Sequence, residues 1–149
     1  MALVRLRNRI REIKPILTSN RVREVMLIAL DQLALTKLRI QKEGKDSNES
    51  PFAPYTEAYK KERGAAGYQV GYVDFTRTGR LWANVQPRVT ASDVFSATVV
   101  IEGSEQRSKD IVAGAAKKRG NILQPSKAEI EFTRQANRRR VLRAFGFEN

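Results

Sequence analysis

The stretch Asn84-Val85-Gln86-Pro87-Arg88-Val89-Thr90-Ala91-Ser92-Asp93-Val94-Phe95-Ser96-Ala97-Thr98-Val99-Val100-Ile101-Glu102 decides the fold. From Val94 to Ile101 the chain alternates and then turns continuously apolar, which is strand behaviour. Residues 84–90 supply a partner strand, and Ala91-Ser92-Asp93 is a connection of hairpin length. Pro87 has no amide hydrogen to give to a ladder, so it puts the first strand at an edge or at a bulge.

Upstream, Tyr68 to Phe75 is aromatic and β-branched enough for a loop and a short strand. Thr78-Gly79-Arg80-Leu81-Trp82 predicts a turn and a short helical piece. Thr56 caps a short helix that continues to about Arg63, with Gly64 and Gly67 as its stop. Pro51 to Pro54 is extended, and the polar residues 43–50 read as a mobile loop.

A long helix is expected over about residues 20–42. Val22, Met26, Ala29, Leu30, Leu33, Lys37 and Ile40 share one face. Val25, Leu27, Ile28, Leu35 and Leu38 widen the apolar surface beyond a single stripe. Such a helix is central to the core or shared with a neighbouring subunit, and Leu27 and Leu35 are assigned to a subunit interface. Ahead of it, residues 1–18 form a basic helical arm kinked by Pro15. Leu3, Leu6, Ile10 and Ile13 make a narrow apolar stripe between Arg5, Arg7, Arg9, Arg11 and Lys14. A stripe one residue wide, without Trp, Tyr or Phe, fits packing on another subunit and does not fit a membrane surface.

Downstream, residues 105–119 read as a helix weakened at Gly114 and stopped at Gly120. Ser126 and Glu129 have capping-box spacing and open a last helix that runs to about Ala144. The whole predicts an α+β fold, a small antiparallel sheet flanked by a long N-terminal helix and C-terminal helices. Residues 19–149 form its single domain.

The 149 residues contain no Cys and no His, which excludes disulfides, thiolate zinc sites and every His-based catalytic arrangement. No signal peptide or membrane-length apolar run is evident, so an intracellular product is expected. The net charge of +12 is unevenly spread. Residues 1–43 carry ten Lys/Arg against four Asp/Glu, residues 117–149 carry nine against three, and residues 44–116 carry nine of each. Lys117, Lys118 and Arg119 end one helix, and Arg138, Arg139, Arg140 and Arg143 crowd the last one. Both clusters suit a polyanionic partner, and both equally suit a solvated helix end whose cations oppose the macrodipole. The central aromatics read as core and interface packing, because the terminal cations lie elsewhere in sequence. Asp74, Asp93, Glu102, Glu105 and Asp110 are the candidates for a metal nuclease, but no spacing makes them converge. No metal, cofactor or catalytic residue is assigned.

Three segments carry a resemblance. Pro51-Phe52-Ala53-Pro54-Tyr55-Thr56-Glu57-Ala58-Tyr59-Lys60-Lys61 resembles a segment of tailed-phage neck and tail-completion proteins. Phe75-Thr76-Arg77-Thr78-Gly79-Arg80-Leu81-Trp82 is similar to that family's Thr-Gly-x-Leu element. Residues 119–129 loosely match the segment that opens its last helix. The resemblance spans roughly residues 20–145 in order. The chain departs from the pattern at Asn121-Ile122, where the family often has aromatics, and in its basic first fifteen residues.

The resemblance implies a virion structural protein, present in the host cytoplasm during assembly and then in the neck. It implies a homo-oligomeric ring, six- or twelve-fold, that joins the portal-side connector to the tail without catalysis. Neighbouring connector and tail proteins are then its partners, with nonspecific contact to double-stranded DNA in the channel. The rival expectation is a sequence-neutral nucleic-acid-binding protein that uses the basic terminal helices.

Overall fold

The computed structural model describes residues 22–92 and 97–144. The arm with Leu3, Leu6, Ile10 and Ile13 lies outside these residues, as does Asp93. Helix α1 spans residues 22–43, α-helical to 38 and closed by a π turn over Arg39–Glu43. Gly44 ends it at φ 63°, its N–H donating to the Ile40 carbonyl at 3.0 Å. A Cβ at Gly44 would stand 2.7 Å from Cβ of Tyr72, so backbone and space both require glycine. The long helix is therefore as expected, but its buried face is not. Leu33, Thr36, Arg39 and Ile40 are buried, while Leu30 is exposed.

The segment expected to be a mobile loop is closed on itself. The Asp46 carboxylate accepts from Asn48 N at 2.8 Å and Ser50 N at 3.0 Å, and Phe52 N donates to the Gly44 carbonyl at 2.9 Å. An aspartate turn replaces the order that periodicity did not announce. Helix α2, Glu57–Ala65, is capped as predicted, with Thr56 Oγ1 accepting from Tyr59 N. The short strand expected within residues 68–75 is absent. Gln69 holds the segment by bonding both the N–H and the carbonyl of Tyr72, and Phe75 adopts a left-handed φ of 53°.

Gly79, at φ 71°, leads into α3, Arg80–Ala83. Strand β1, Val85–Ser92, pairs antiparallel with β2, Ala97–Gly103, in a two-stranded sheet. Pro87 pairs in regular register with Ile101, and in a two-stranded sheet that is an edge position; the register shift falls further on, between Val89 and Ala91. Helix α4, Gln106–Arg119, packs on β2, and α5, Lys127–Ala144, follows. The core collects Leu33 and Ile40 from α1, Leu81 and Trp82 from α3, Val85 from β1, Ala115 from α4, and Phe52, Val73, Ile122 and Leu123 from the connecting segments. The fold is α+β, with the small sheet flanked by the long N-terminal helix and the C-terminal helices.

Ser126 and Glu129 form the predicted capping box, Oγ to Glu129 N at 3.2 Å and Ser126 N to Oε2 at 2.9 Å. The same carboxylate accepts from Thr36 Oγ1 at 3.1 Å and from Arg39 Nε at 2.6 Å. Arg39 spends its other donors on the carbonyls of Lys45 and Gln124, both at 2.9 Å. Thr133 then bonds Gln32, so α5 runs antiparallel to α1.

Candidate functional site: a basic aromatic cleft

The site is organised around Asp74, which is buried. Its carboxylate accepts from Tyr55 OH at 3.0 Å, from Arg63 Nη2 at 3.1 and 3.3 Å, and from Thr76 N at 2.9 Å. Its backbone carbonyl takes Trp82 Nε1 at 3.1 Å. Arg63 lies 4.7 Å from the Tyr55 ring centroid, 5.5 Å from Tyr68 and 5.9 Å from Tyr59. Burial pushes the Tyr55 hydroxyl above the ordinary tyrosine range. Every oxygen of Asp74 is engaged by the protein, so this carboxylate is a structural anchor. Glu102 pairs with Arg88, whose hydrogen bond holds its carboxyl below the usual range. Among the described residues no group of three or more acidic, His or Cys side chains is placed to hold a metal ion.

Beside this anchor opens a cleft of about 510 Å³. One wall is Pro54, Tyr55, Tyr59 and Arg63. A second is the segment from Val73 to Leu81, and the third is α4 with Arg107, Ile111, Lys118 and Arg119. Arg77 at the rim pairs with Glu62. Arg80, Arg107 and Lys118 form no ion pair among the described residues. Arg119 gives Nη2 to the Ala53 carbonyl at 3.1 Å and lies 6.0 Å from the Phe75 centroid. Its Nε is buried with no acceptor. Gly114 falls on the same helical face as Arg107, Ile111 and Lys118, and a side chain there would meet nothing within 4 Å. The cleft is therefore rich in donors and poor in acceptors, with an aromatic and aliphatic floor. It suits a carboxylate or phosphate attached to an apolar body.

Of the basic residues singled out in the sequence, Lys118 and Arg119 line this cleft and Lys117 is exposed beyond it. Arg138 is exposed on α5, and Arg139, Arg140 and Arg143 belong to the same helix. Arg138 is not among the residues that line the cleft. Arg77, Arg80 and Arg107 were missed because they come from the electrically neutral centre. The spacing from Arg107 to Lys118 on α4 was the available signal. The expectation that cations lie apart from the aromatics is corrected: Arg63, Arg77 and Arg119 all stand over aromatic rings.

A second surface lies between α1 and α5. Leu35, Leu38, Phe132 and Ala136 line a groove of about 450 Å³ with Asp31 and Asn137. Leu38 is 55% exposed and Phe132 62% exposed, whereas Leu27 and Leu35 are half-buried. No described helix is long and apolar enough to cross a membrane. Compared with protein-family models, with curated proteins and with solved structures, the chain finds no match.

Proposed function

We propose that the chain is a virion structural protein of a tailed phage, forming a ring at the head–tail junction that joins the portal-side connector to the tail. One observation carries this reading: the first two segments that resemble the neck and tail-completion family line one cleft, and the third reaches it through its first residue, Arg119. Tyr55 and Tyr59 come from the first, Phe75, Arg80 and Leu81 from the second, and Arg119 from the third. A mere run of weak motifs has no need to meet in space. The uncovered apolar side chains of α1 and α5 support self-association, and the cleft supports docking of an acidic segment of a neighbouring connector or tail protein. Arg138, Arg139 and Arg140 are assigned to the DNA channel or to an acidic neighbour.

Negative-stain microscopy of the purified chain tests the proposal. Rings with a hole wide enough for duplex DNA are expected. A chain that stays monomeric at high concentration and is missing from assembled particles overturns it.

The rival reading, a sequence-neutral nucleic-acid binder, is favoured by one observation: Arg80, Arg107 and Lys118 have no carboxylate partner among the described residues. It requires affinity that falls steeply with salt, and a gel shift indifferent to salt disposes of it.

A further inference from the structure

We infer that the basic aromatic cleft is a trough for one extended segment of a partner protein, a segment with two acidic side chains four residues apart and an aliphatic side chain midway between them. The inference rests on the reading of the cleft as a docking site for an acidic segment and names what that segment must contain.

The α4 wall sets the spacing. Arg107 and Lys118 are eleven residues apart and both line the cleft. That separation is three turns with about 20° left over, so the two cations share one face, roughly 16 Å apart along the axis. Ile111 stands between them and is 36% exposed, an aliphatic side chain left uncovered in the middle of the trough. Gly114 holds the next place on that face. Glycine is a poor helix former, and a Cβ at Gly114 would meet nothing within 4 Å, so the free fold has no need of it. An occupant lying close against the helix backbone does need it.

The charges sit at the two ends. Asn84 Nδ2 donates to the Arg80 carbonyl at 2.9 Å and to Glu105 Oε1 at 3.2 Å, which brings the start of α3 to the Arg107 end. At the other end, beside Lys118, Arg119 gives Nη2 to the Ala53 carbonyl, and its buried Nε has no acceptor. Two carboxylates complement these ends, and an apolar side chain complements Ile111.

An extended chain provides that pattern. It rises about 3.3 Å per residue and turns alternate side chains to one face, so residues i, i+2 and i+4 enter the trough over roughly 13 Å. The long Arg, Lys and Glu side chains cover the difference. A cleft of about 510 Å³ drawn out along α4 averages roughly 30 Å² in section, too narrow for a helix about 10–12 Å across. A nucleic-acid strand fits less well. Its phosphate at every nucleotide would put charge over Ile111, where the α4 wall has no cation. Its bases need open aromatic faces, and Tyr55, Tyr59 and Phe75 already hold Arg63, Arg77 and Arg119 over their rings.

Fluorescence anisotropy of the full chain with a fluorescein-labelled peptide, core Glu-Ser-Leu-Ser-Glu, tests the inference. It should bind about tenfold tighter than the same residues ordered Ser-Glu-Leu-Glu-Ser. Equal affinity for the two overturns the inference and leaves an acidic docking site, and binding of neither overturns both. Gly114→Leu fills the middle of the trough and should weaken the first peptide about tenfold with an unchanged circular dichroism spectrum. Equal binding by a folded Gly114→Leu chain overturns the inference. Gly114→Ala should raise the thermal midpoint, and a lowered midpoint overturns the inference by showing that the fold itself needs the glycine. Arg107→Glu and Lys118→Glu, made singly, should each weaken the peptide, and a loss confined to one of them overturns the two-ended trough. An oligothymidylate that binds tighter than the peptide and is lost in Gly114→Leu makes the cleft a nucleic-acid site and overturns the inference. Rings seen by microscopy in a chain that ignores the peptide overturn the inference and leave the ring reading standing. Peptide binding by a chain that never forms rings supports the inference and overturns the ring.

Discussion

Arg39 and Glu129 are 90 residues apart in sequence and 2.6 Å apart in space. Their contact ties the end of α1 to the start of α5, and both side chains are more than nine-tenths buried. Glu129→Ala strands a buried guanidinium and removes a helix cap together. A loss of roughly 3–5 kcal/mol is expected in urea denaturation. Arg39→Met combined with Glu129→Leu should recover much of that loss, because a buried pair is worth little more than well-packed apolar groups. A double variant as unstable as Glu129→Ala would show that the pair adds more than mutual neutralisation.

Asp74 is the equivalent anchor of the cleft. Asp74→Asn keeps the shape and removes the charge that Arg63 faces. It should destabilise by about 3 kcal/mol in urea denaturation, because the buried Arg63 loses its carboxylate, while the bond from Trp82 Nε1 to the backbone carbonyl of residue 74 is kept. Unchanged stability would remove the Asp74 carboxylate from its central role.

Tyr55 gives the fold an alkaline limit. Its pKa is raised above 10.0, first by burial, so folding favours the protonated hydroxyl. That contribution is fully present below the unfolded tyrosine value and is lost as pH rises through the folded one. Stability should therefore fall above about pH 10, and Tyr55→Phe should remove part of that fall. Absorbance titration of the phenolates checks the order of ionisation, with Tyr55 expected to ionise late.

Gly44→Ala meets both a positive φ and the Tyr72 side chain, and a loss of about 1–3 kcal/mol is expected. Gly71→Ala is the internal control, because nothing lies within 4 Å of its missing Cβ. It should change the thermal midpoint little.

Arg107→Glu with Lys118→Glu reverses two exposed cleft cations that form no ion pair among the described residues. Folding should persist, and docking of an acidic partner should weaken at least tenfold in a pull-down titration. Reversal of Arg138, Arg139 and Arg140 that leaves assembly and DNA retention intact would return that cluster to a solvated helix end.

Much of the framework was legible because local chemistry determined it. Thr56, Gly44, Gly79, Gly120 and the Ser126–Glu129 box each mark an element boundary by a conformation or hydrogen bond that few residues provide. Pairings across long sequence distances were not legible. Nothing near Arg39 announces Glu129, and nothing near Asp74 announces that Arg63 and Tyr55 will consume it. The cleft was hidden by the charge count. The central carboxylates Asp74, Glu62 and Glu102 are taken by Arg63, Arg77 and Arg88, and Arg80 and Arg107 form no ion pair among the described residues.

A π turn holds one residue more than the α turn it replaces. Deleting any single residue between 39 and 43 would let α1 close as plain α-helix and keep every other element. Because the π turn is what absorbs the extra residue, the helix before it and Gly44 after it would keep their places, and only the residues inside the turn would change face. The turn is thus slack in the chain at a point where the flanking contacts are fixed. A homologous sequence with a one-residue gap at 40–43 can keep its cation on Glu129.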